Sequence, residues 1–123
     1  MYDIIYVTDH LKGVVSMSVY TIEEIAEKVR PIAERYNLGK VYLFGSYARG
    51  EATEDSDIDL LVDAEKITGM FAFGGLYGDL QDALQKELDL VTMNGLYNKR
   101  KNDALTVKFR GAVERDRRLI YDK

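Results

Sequence analysis

The stretch Lys40-Val41-Tyr42-Leu43-Phe44-Gly45-Ser46, followed after ten residues by Asp57-Ile58-Asp59-Leu60-Leu61-Val62-Asp63, decides how this chain is read. Lys40 to Phe44 is a strand apolar on both faces, which predicts a central position in a sheet. Ile58 to Asp63 is the next strand. Between them, Gly45 to Glu54 reads as a short loop and turn. Side chains alternate along a strand, so Asp57 and Asp59 share one face while Ile58 and Leu60 take the other. Two carboxylates so close repel each other and are costly to desolvate; a divalent cation between them removes the conflict. Magnesium suits such a set, because it prefers hard oxygen ligands and completes its shell with water and phosphates. After the first strand, Gly45 permits close backbone approach, and a following helical turn would aim free N–H groups at an anion. The Ser46 hydroxyl adds one further donor to phosphate.

Working outward, Thr21 and Glu24 form a capping box, and Ile22, Ile25, Ala26, Val29, Ala33 and Tyr36 recur at helical spacing. A helix over 22–36 follows, with Pro31 as the point where it would kink. Phe73, Leu76, Tyr77, Leu80 and Leu84 predict a second helix, in which Gly74, Gly75 and Gly78 allow close packing or a mobile lid. Leu88 to Thr92 is a third strand. An acid in its middle, Asp89, needs a reason: beside the strand 58–63 it would reach the same pocket. Three acids can hold two metal ions about 4 Å apart, the arrangement of in-line nucleotidyl transfer. Leu105, Phe109, Ala112 and Val113 place a third helix, and Leu119 to Tyr121 a closing strand. Residues 1–20 form an extension, with β-rich stretches Ile4–Val7 and Val14–Tyr20 suggesting a hairpin. Residues 21–123 make one domain of α/β (α+β) class, a small mixed sheet packed with helices.

Composition narrows the function. The 123 residues are 46% hydrophobic and 31% charged, as in an ordinary globular domain. No cysteine is present, which removes disulfides, thiolate metal sites and Cys nucleophiles. No apolar run approaches the roughly 18 residues of a membrane span. The first ten residues lack the pattern of a signal peptide, so a cytoplasmic location is expected. A net charge of -4 makes nucleic acid an unlikely partner. Lys99 to Arg118 runs against that balance at +5, as a solvated helix face or as a positive surface near a triphosphate or an acidic partner. The chain has no G-x-x-x-x-G-K-[ST] phosphate loop, and its glycines lack dinucleotide-fold spacing. The only histidine, His10, is far in sequence from the acids, leaving Asp89 as general base.

Gly45-Ser46, ten residues, then Asp57-x-Asp59, with Asp89 as third acid, resembles the signature of the DNA polymerase β-like nucleotidyltransferases. The text Gly45-Ser46-Tyr47-Ala48-Arg49-Gly50 with Asp55-Ser56-Asp57-Ile58-Asp59-Leu60 is similar to their minimal nucleotidyltransferase (MNT) branch. The likeness covers roughly 21–121. It implies a polymerase β-like palm, with ATP as the probable substrate and two Mg2+ ions. Gly45 and Ser46 would hold the β/γ phosphates. Asp57 and Asp59 would ligate both ions, and Asp89 would ligate one and face the acceptor hydroxyl. Arg49 would meet phosphate or an acidic partner. Prokaryotic proteins of this branch commonly accompany a HEPN-domain toxin, onto a tyrosine of which they transfer AMP. That implies an antitoxin. The alternatives are an antitoxin acting by stoichiometric binding alone, or transfer to a small molecule such as an aminoglycoside.

Overall fold

Thr21 opens the first helix by reciprocal capping: its hydroxyl accepts the Glu24 amide at 3.0 Å, and Glu24 Oε1 accepts the Thr21 amide at 2.8 Å. The computed structural model describes residues 18–98, 100 and 102–123. The hairpin expected over 1–20 therefore lies almost wholly outside the described residues; Ser18 to Tyr20 are not strand. Helix α1 (Ile22–Arg35) buries Ile25, Val29, Ile32 and Ala33. Pro31 sits within it on the exposed side. The Glu27 carbonyl that Pro31 cannot satisfy belongs to an exposed residue, so water can serve it. Asn37, at φ 56, turns the chain into β1 (Lys40–Phe44).

A short helix, α2 (Gly45–Arg49), follows at once where a loop was expected, and Gly50 ends it in the left-handed conformation at φ 76. Next come β2 (Ile58–Val62), α3 (Met70–Leu84) and β3 (Leu88–Thr92). A single turn, α4 (Met93–Leu96), precedes α5 (Ala104–Asp116) and β4 (Arg118–Asp122). Helix α3 begins three residues before the first apolar position that predicted it. Of its glycines, only Gly75 is required by packing: a Cβ there would come within 2.9 Å of the Tyr36 hydroxyl, which donates to Asp79 at 2.6 Å. Gly74 and Gly78 face open space.

The sheet runs β3-β2-β1-β4, so the strand apolar on both faces is central. β1 is antiparallel to β2 and to β4. β2 and β3 are parallel, with α3 as the crossover such a pair requires. Alternation then divides the sheet. Val41, Leu43, Ile58, Leu60, Val62 and Leu88 join α1 and α3 in the main core. Phe44 and Leu61, from the opposite face, pack with Leu96 and Val113. Each fully buried leucine contributes about 1.5–3 kcal/mol, so the first face supplies most of the stability. The acids point the other way, toward α5.

Helix α5 carries Leu105, Phe109, Ala112 and Val113 as the spacing predicted, but they do not form a buried stripe: Leu105 is 79% exposed and only Val113 is fully buried.

Candidate active site

Gly45 is required twice over. Its φ of +73 is one that side-chain-bearing residues rarely adopt, and a Cβ built there would overlap the Asp59 carboxylate. The register explains the crowding, because Phe44 pairs with Asp59 across β1 and β2. The chain thus enters α2 against that carboxylate. No side chain caps the start of α2, so its first amides remain donors for an anion. The Ser46 hydroxyl likewise has no protein partner among the described residues.

Asp59 pairs directly with Asp89 across the parallel β2–β3 ladder. The two carboxyl groups are within hydrogen-bonding reach, and the Asp59 carboxyl is pushed up to about 7. Burial is the largest cause, followed by the hydrogen bond to Asp89 and by repulsion from Asp89 and Asp57; Arg49 acts the other way. Asp57, just before β2, is exposed but near enough to act on Asp59 electrostatically. Asp89 is exposed too, on an edge strand. The three acids do not close into a ready-made metal cage, and no such cage of acids or histidines occurs among the described residues. An open set of hard oxygen donors, two of them in mutual repulsion, still fits magnesium, which keeps several waters and substrate phosphates in its shell.

A cleft of about 490 Å³ runs past these groups, within the range of small-molecule sites. Gly45, Arg49, Asp59, Asp89 and Asp116 form its polar lining; Phe44, Leu90, Val91, Phe109, Ala112 and Val113 form its apolar lining. Ser46 and Asp57 lie outside that lining. Arg49 is engaged by two acidic side chains. Its Nη1 holds Asp116 of α5 at 2.8 Å and its Nε holds Glu51 at 3.1 Å.

Three participants were not singled out from sequence. Phe109 served in the sequence only to mark a helix face, yet it stands half-exposed in the cleft with its ring edge-on to Phe44, centroids 6.0 Å apart. Asp116 was one charge in a basic run. Lys86, 2% exposed, donates to the Glu54 carbonyl at 2.9 Å and so holds the loop that carries Asp57. A lysine inside Leu84 to Leu88 was the available signal. The basic segment is partly spent on structure as well: Arg110 bonds the Leu96 carbonyl and Arg117 lies over the Tyr42 ring.

The model of the nucleotidyltransferase domain family matches residues 22–111. The chain belongs to that family. Within it the relatives are of the minimal type. The protein adenylyltransferase MntA of Thermococcus cleftensis is 39% identical over 84 residues, 65% of this chain and 85% of that one. A solved structure provisionally assigned as a minimal nucleotidyltransferase is 32% identical, with a TM-score of 0.60, covering 82% of this chain and 97% of its own. A toxin–antitoxin crystal structure with AMP-PNP superposes at a TM-score of 0.58 and 26% identity, over 80% of this chain and 73% of that chain. In this nucleotidyltransferase domain, as in those neighbours, a mixed sheet packed with helices forms the scaffold. No helix among the described residues is long and apolar enough to cross a membrane.

Proposed function

We propose that this domain moves AMP from ATP onto a hydroxyl of a partner protein, releasing pyrophosphate, as the antitoxin of a HEPN/MNT pair. The observation that carries the reading is the face-to-face placement of Asp59 and Asp89, with Gly45 held against Asp59. A fold gains nothing from two adjoining carboxyls on neighbouring strands; a site for cations and a triphosphate does. The names of the relatives and the toxin–antitoxin neighbour support the acceptor being a protein.

In this reading the Gly45 and Ser46 amides and the Ser46 hydroxyl hold the β/γ phosphates. Asp57 and Asp59 would hold two magnesium ions and Asp89 one of them. When bound, the ions would neutralise the triphosphate and make the α-phosphorus more electrophilic. Asp89 takes the proton of the acceptor hydroxyl, whose oxygen bonds to the α-phosphorus as the bond to the bridging oxygen of pyrophosphate breaks. Arg49, tied to Asp116, steadies α2 against α5 beside the phosphates. The cytoplasm, which supplies ATP and magnesium, is the proposed location.

The test is incubation with magnesium, α-labelled ATP and the protein encoded beside this one. Label should appear on that partner and vanish with Asp57→Asn and with Asp59→Asn. Neutralisation of the partner that survives both substitutions would instead establish stoichiometric binding.

A further inference from the structure

The phosphate turn and the acids occupy only part of the cleft; its apolar lining has no role in the chemistry above. We infer that this lining receives the nucleobase, stacked on the Phe109 ring, so that Phe109 is a binding determinant for the base of a nucleoside triphosphate. This rests on the triphosphate reading of Gly45 and Asp59.

Continuity comes first. Phe44 immediately precedes Gly45 and meets the Phe109 ring edge-on at 79°. The aromatic wall therefore adjoins the phosphate turn, and the Arg49–Asp116 bridge ties α2 to the helix bearing Phe109. Exposure comes next. Phe109 stays 45% exposed in a cleft whose neighbouring Val113 is fully covered, so its ring is open to a flat ligand entering that cleft. Chemistry completes the case. Phe44, Val91, Ala112 and Val113 carry no side-chain donor or acceptor, so this end suits a ring and not a second charged group. An acceptor hydroxyl has its own approach: Asp89 is exposed on β3, the strand at the sheet edge.

Stacking on an aromatic ring is blind to the base edge, and one such stack is worth a roughly 5- to 150-fold change in affinity. The experiment is calorimetric titration of the full chain, in magnesium, with ATP, GTP and inorganic tripolyphosphate. It compares wild type, Phe109→Ala and Phe109→Tyr, each checked for folding by thermal melting. Phe109→Ala should weaken ATP and GTP equally within that range and leave tripolyphosphate unchanged, while Phe109→Tyr restores wild-type affinity. Equal losses for ATP and tripolyphosphate would reduce Phe109 to a structural residue and overturn the inference. Unchanged ATP affinity with slower labelling of the acceptor would overturn it too, placing the acceptor on the ring. Binding of neither ATP nor tripolyphosphate by wild type would overturn the triphosphate reading itself and this inference with it; tripolyphosphate binding as tightly as ATP would overturn the inference alone.

Discussion

Asp59 and Asp89 stand side by side on two parallel strands, one central and one at the sheet edge, close enough for Asp89 to raise the Asp59 pKa. Backbone pairing sets this proximity, because the register places both residues side by side on one face of the sheet. The conflict between them is built into the fold, and several measurable consequences come from it.

Asp59→Asn removes one of the two opposed charges. Transfer to the acceptor should fall by about 100-fold or more if, as proposed, this carboxylate holds the magnesium ions. Thermal stability without metal should hold or rise by a few degrees, since the repulsion and the burial cost go with it. A variant that lost both activity and stability would show that Asp59 is a structural residue.

The pH dependence has a defined sign. Asp59 holds its proton to about 7 in the fold against an ordinary value of 3.8, so the folded chain binds more protons than the unfolded one between those limits. The Asp59 contribution to stability is therefore fully present below about pH 4 and is lost as pH rises through about 7. In EDTA, melts should show this decline on top of the titration of other groups. Magnesium should flatten it at the upper end, and Asp59→Asn should abolish the difference between the two conditions.

Gly45→Ala meets both a left-handed backbone and the Asp59 carboxylate. A cost of roughly 1–3 kcal/mol is expected from the backbone conformation alone. Gly50→Ala gives the comparison: it shares the positive φ and faces open space. Chemical denaturation should find Gly45→Ala the less stable of the two, and only Gly45→Ala should lose triphosphate binding.

Lys86→Met leaves the Glu54 carbonyl without its buried donor, a loss of about 1–3 kcal/mol if the loop stays in place. The loop before Asp57 should then loosen. Faster proteolysis within 50–57 and a higher magnesium requirement for transfer are the expected results, with Lys86→Arg intermediate.

Much of this was legible in the sequence because strand alternation is strict. Asp59 falls on the cleft face of β2 as alternation predicts, whereas Asp57 precedes the strand and lies outside the cleft lining; the strand Lys40 to Phe44, apolar on both faces, is central as expected. Thr21 and Glu24 announced α1 by local hydrogen bonding alone. What escaped depended on long-range geometry. Leu105 and Phe109 have helical spacing whether their face is packed or open, and periodicity cannot tell a core stripe from a ligand wall. Arg49 and Asp116 are 67 residues apart, so nothing local advertised their bridge. The five-residue helix at Gly45 was read as a loop because it is too short to show a period.

The two faces of the sheet carry unequal duties. Most of the buried side chains lie with α1 and α3, while the acids, the cleft and the half-exposed α5 lie opposite. Substitutions on the cleft side of α5 should therefore be tolerated by the fold far better than substitutions on the α1–α3 side, so the cleft can vary while the stabilising half is kept.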